Sequence, residues 1–145
     1  FMLDIVEHLY EHELKKVLLE VRRVLKPDGR VIVHTSPNKF LMYPVRVCAR
    51  LLRASLRSDR YHVNEQSIFS LSKVLGEHFA VERLLIEKDI HYWVNSTPER
   101  GAMIRTIARI VDRCVDAPLC DYVIKNTILR CFFGTDIWAV AKPIP

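Results

Sequence analysis

Two carboxylates and an imidazole fall within the segment Asp4-Ile5-Val6-Glu7-His8, and a second imidazole, His62, stands just before Val63-Asn64-Glu65. A histidine ring titrates near neutrality, so His8 and His62 are both candidate general bases for drawing a proton from a reacting group. A ring in such a loop can instead hold the loop by hydrogen bonding. Turnover after replacement by Ala separates the two roles.

The elements that must position these groups are legible on either side. Phe1-Met2-Leu3 reads as the end of a buried strand. From His12 to Lys26 the residues Leu14, Val17, Leu18, Val21, Val24 and Leu25 recur at helical spacing and form one core-facing stripe. Pro27 stops that helix, and Asp28-Gly29 supplies the turn. Arg30 to Thr35 follows as a strand whose Val31-Ile32-Val33 run lacks polar alternation, as in strands buried on both faces of a parallel sheet. Ligands of open parallel α/β sheets gather at the carboxyl ends of strands, so Asp4 to His8 and Thr35 to Asn38 should line one crevice.

Further helices are predicted from Pro44 to Arg57, with Pro44 at the first position, from Ser67 to Glu77, from Ser96 to Val115, and from Pro118 to Lys125. In the stretch from Ser96 to Val115, Ser96 and Glu99 have capping-box spacing, and Met103, Ile104, Ile107, Ile110, Val111 and Cys114 are expected to face inward. Strands are predicted from Ala80 to Glu87, Ile128 to Phe133 and Ile137 to Ala141. Arg46, Arg50, Arg53 and Arg57 repeat along one helical face, which suits a phosphate, a carboxylate or a membrane surface.

Half of the 145 residues are hydrophobic, enough for one domain with a core. A net charge of +5 permits acidic partners but is too small to imply nucleic-acid binding. Cys48, Cys114, Cys120 and Cys131 follow no zinc spacing and lie in apolar segments, where buried free thiols are expected. With no cleavable signal and no membrane-length apolar run in the sequence, a reducing, cytoplasmic setting is expected.

In this order, the segments Asp4-Ile5-Val6-Glu7-His8-Leu9, Glu20 to Gly29, Thr35-Ser36-Pro37-Asn38, His62-Val63-Asn64-Glu65 and Ile137 to Pro143 resemble the C-terminal half of class I S-adenosylmethionine-dependent methyltransferases, of the type 11/23 kind. The resemblance covers most of the chain. It implies an α/β fold, a partial Rossmann-like methyltransferase sheet of strands four to seven with flanking helices. Residues 1–145 would form the C-terminal part of one methyltransferase domain, with residues 39–60 and 96–126 as helical insertions or a lid. The Gly-rich loop that approaches the cofactor has no counterpart, since the four glycines include no GxG pair. The N-terminal cofactor-binding part is therefore expected to lie outside this sequence.

The resemblance also implies the chemistry: methyl transfer from S-adenosylmethionine to a small-molecule acceptor, with alignment and a base as the protein's main contributions. Met2, Leu3 and Asp4 become the cofactor neighbours, and His8 and His62 the catalytic candidates. Some branches hold a divalent cation with an acidic-x-x-Glu-His pattern, which Asp4, Glu7 and His8 resemble, with His62 as a fourth ligand. Many metal-free relatives carry the same Glu-His, so no metal is assigned. The alternative reading is a catalytically inactive methyltransferase-like module that binds an anionic partner through its arginines.

Overall fold

Apolar residues two apart in short segments, and three or four apart between them, dictate a sheet with helices laid against it. The computed structural model describes residues 1–51, 61–87 and 116–144, together with Thr106, Arg109, Ile110, Arg113 and Cys114. The fold is mixed α/β. Its strands are β1 (Met2–Leu3), β2 (Val31–Thr35), β3 (Phe79–Glu87) and β4 (Asp136–Pro143), joined in the order β1-β2-β4-β3. β1 and β2 are parallel, with Met2 opposite Val33 and Leu3 opposite His34. β4 runs antiparallel to both neighbours, with Val33 opposite Ala139 and Leu84 opposite Ala139 on its other side.

One face of this sheet carries the core. Helix α1 (Glu11–Val24) supplies Leu14 and Leu18, and α3 (Ile68–Gly76) supplies Leu71, Val74 and Leu75. They meet Met2, Val31, Val33, Phe79, Ile137, Ala139 and Ala141 from the strands. The sequence placed α1 and α3 within two residues of their observed ends. Each has a local reason to start where it does. The Tyr10 N–H donates to Glu13 Oε2 at 2.9 Å ahead of α1, and Ser67 Oγ accepts the Ser70 N–H at 3.1 Å ahead of α3. Val24, expected in the α1 stripe, is exposed. In β2 only alternate residues are fully buried, and Ile32 and His34 are half-buried, so the strand is not enclosed on both faces.

Helix α2 (Lys39–Leu51) begins five residues before the expected start, and Pro44 lies inside it. Asn38 is the cause: its Oδ1 accepts the Phe40 N–H at 3.2 Å, and its carbonyl accepts the Met42 N–H at 3.1 Å. Pro44 is the sixth helical residue, so it forfeits the bond that an N–H there would give the Phe40 carbonyl, and α2 forms in spite of it. The rest of the expected helix, to Arg57, lies outside the described residues.

The expected strand from Ile128 to Phe133 is instead a short helix, α5 (Arg130–Phe133), after α4 (Pro118–Asn126). Both edges of β4 are already paired, by β2 and β3, so a hairpin strand beside it has no place. Of the expected helix from Ser96 to Val115, residues 96–105, 107, 108, 111, 112 and 115 lie outside the described residues. Ile110 and Cys114, expected to face inward, are exposed, as is Cys120, while Cys131 is partly buried. α4 buries Ile124 alone, which leaves the rest of its apolar residues outside. Among the described residues no helix is long and apolar enough to cross a membrane.

Candidate functional site

Parallel pairing puts the carboxyl ends of β1 and β2 side by side, and the next residues of each strand close on one another. A 3₁₀ turn, Val6–His8, follows β1 and turns Glu7 inward, where it is 2% exposed. A carboxylate that far from water needs a donor. Thr35, the last residue of β2, provides one: its hydroxyl donates to Glu7 Oε2 at 2.7 Å. The two segments expected to line one crevice, Asp4–His8 and Thr35–Asn38, thus meet through the Thr35–Glu7 bond.

The loop before α3 is tied to the same turn. The Val63 and Asn64 N–H groups both donate to the Glu7 carbonyl, at 2.9 and 3.0 Å. His8 Nδ1 donates to the Tyr61 carbonyl at 2.8 Å. A carbonyl only accepts, so Nδ1 carries the proton, and in the neutral ring Nε2 keeps the lone pair. His62 lies edge-on to His8, with ring centroids 5.1 Å apart. Burial pushes the His62 imidazole below its ordinary value; the charges of His8 and Arg46 act in the same direction, and the carboxylates of Glu7 and Glu65 oppose it. Its Nδ1 is buried without a hydrogen-bond partner.

Glu7, His8 and His62 each bring one ligand-capable atom to within 4.8 Å of the others. One carboxylate and two imidazoles form the donor set of an open catalytic zinc site. Thr35 on Glu7 and the Tyr61 carbonyl on His8 are the outer contacts that orient such ligands, and the unpaired His62 Nδ1 is the kind of buried atom a cation would satisfy. These three residues therefore fit a divalent cation. Asp4, the fourth member of the expected set, does not join them.

Asp4 turns away through a left-handed backbone, with φ of 52°, a conformation Asp tolerates better than most residues. Its Oδ1 accepts from His34 Nδ1 at 2.8 Å, and His34 Nε2 lies 3.9 Å from Asp136 Oδ1. The His34 ring rests on Trp138, with centroids 4.2 Å apart. This second polar group was missed in the sequence, although pairing β1 with β2 in parallel would have set Leu3 opposite His34 and so Asp4 beside it.

Of the expected cofactor neighbours, Met2 places its side chain in the core, while Leu3 and Asp4 are exposed. Arg46 forms a two-point fork with Glu65, at 2.7 and 2.6 Å. Arg50 is exposed, and Arg53 and Arg57 lie outside the described residues. No family model matches the chain, and no curated protein matches it.

Proposed function

We propose that the chain forms the acceptor side of a class I S-adenosylmethionine-dependent methyltransferase, as the C-terminal part of a longer protein in a cytoplasmic setting. The observation that carries the reading is the sheet. Strands four and five of a doubly wound sheet are parallel neighbours, and β1 and β2 stand in that relation with the Glu-His turn at their carboxyl ends. The order β1-β2-β4-β3 is what strands four to seven would give if the closing strand folded back between the fifth and the sixth.

When bound, S-adenosylmethionine supplies a methyl group already activated by its sulfonium. The backbone of Met2, with Leu3 and Asp4, would lie beside it. His8 Nε2 would accept the proton that the acceptor loses on methylation. The Tyr61 carbonyl keeps the His8 ring in the tautomer this needs. His62, held neutral by burial, avoids placing a second positive charge against His8 after the transfer. Were Glu7, His8 and His62 instead to hold a divalent cation, His8 would bind through Nε2 and give up the base role, and the cation would lower the pKa of an acceptor hydroxyl there.

Calorimetry with S-adenosylmethionine on the full-length protein, followed by turnover with His8→Ala, tests the reading. Binding is expected, with turnover lowered about 10²-fold or more in the variant. Unchanged turnover removes the base role. Absence of cofactor binding favours the inactive module that holds an anionic partner.

A further inference from the structure

Between Pro37 and Ser58 the sequence holds five cationic side chains and no carboxylate. Within the part of this run that α2 covers, residues four apart share one ridge of the helix surface. Lys39, Tyr43, Val47 and Leu51 make such a ridge, and all four face solvent. Tyr43 is 73% exposed, Val47 41% and Leu51 79%. The helix meanwhile buries Leu41 and Met42 elsewhere on its circumference. Among the described residues, α2 therefore carries a second, solvent-facing apolar row, headed by Lys39 and flanked by the exposed Arg50.

A row of this kind gains nothing from water. Laid in the headgroup layer of a bilayer, it would sink its Tyr, Val and Leu side chains to the acyl boundary while Lys39 and Arg50 reach back to the phosphates. Tyr is well suited to that depth, with an apolar ring and a polar tip. Arg46 is taken by Glu65, but Lys39 and Arg50 stand exposed beside the ridge and set the sign of the surface that fits, and the net charge of +5 acts in the same direction. We propose that the Lys39–Tyr43–Val47–Leu51 ridge of α2 docks the protein on an anionic lipid surface. The docking stands on α2 alone and does not depend on methyl transfer.

Co-sedimentation of the whole chain with vesicles tests this, comparing phosphatidylcholine alone with a mixture containing phosphatidylglycerol. Binding is expected to the anionic vesicles only, and to fall at least tenfold when NaCl is raised from about 0.1 to about 0.5 M. Arg50→Gln should weaken it about fivefold. The triple change Tyr43→Ser, Val47→Ser, Leu51→Ser should abolish it with the circular dichroism spectrum intact, while Leu119→Ser, at an equally exposed site on α4, should leave it unchanged. Equal binding to both vesicles, binding by the triple variant, or no binding at all overturns the proposal. A dimer in sedimentation velocity that the triple change dissolves, without vesicle binding, assigns the ridge to a second copy and overturns it too.

Discussion

The Thr35 hydroxyl is the direct donor to a carboxylate almost entirely withdrawn from water, so removing it exposes the cost of burying Glu7. Thr35→Val keeps the shape of the side chain and deletes the donor. It is expected to lower stability by about 1–3 kcal/mol in urea titrations, and a loss below a few tenths would mean that water replaces the hydroxyl. His62 gives a pH signature. Its folded-state value lies below the ordinary 6.5, so as pH falls through 6.5 the unfolded chain takes up a proton that the folded chain refuses. Its contribution is complete above that value and is lost as pH drops toward the folded-state one. In chelator-treated protein, His62→Gln should therefore lose less stability between about pH 7 and pH 5 than the parent. Equal losses would place the acid sensitivity elsewhere. The residue types of this site were legible from the sequence, but the partners of Asp4 were not. A register of pairing decides them, and register depends on which strands become neighbours.

At the scale of elements, α1 and α3 could be read from the sequence because periodicity, caps and stop signals agree there. α2 starts earlier than the sequence suggests because Pro44 reads as a start signal, whereas the actual signal is Asn38. Asn38 has no exposure, and its Nδ2 donates to the Cys131 and Gly134 carbonyls at 2.8 and 3.0 Å. Such long-range bonds leave no local trace. The same junction explains Gly134, which lets α5 turn into β4 against β3. A Cβ there would overlap Ile86 Cγ2 and come within 2.7 Å of the Arg130 carbonyl. Gly134→Ala should cost about 1–3 kcal/mol, read as a lowered midpoint of thermal unfolding, and an unshifted midpoint would show that the junction yields freely. The misread strand at Ile128 to Phe133 has the opposite lesson. Its composition favours a strand, but the sheet offers it no edge.

At the scale of the molecule, helices on one face and a half-buried opposite face of β2 follow from the same alternation. The class of fold was legible because alternation and helical spacing are local patterns; the order of the strands was not, because β4 is inserted between two strands made long before it. A chain ending after Thr135 should show no cooperative melting, since it removes Ile137, Ala139 and Ala141 from the core. A sharp transition in that truncation would mean that the other strands find a second arrangement. The insertion also bears on synthesis. β2 and β3 are made well before residues 136–143, and until that segment enters they face a gap one strand wide. In that interval the strand edges that β4 will pair are bare, which makes the unfinished sheet a natural client for a holding chaperone.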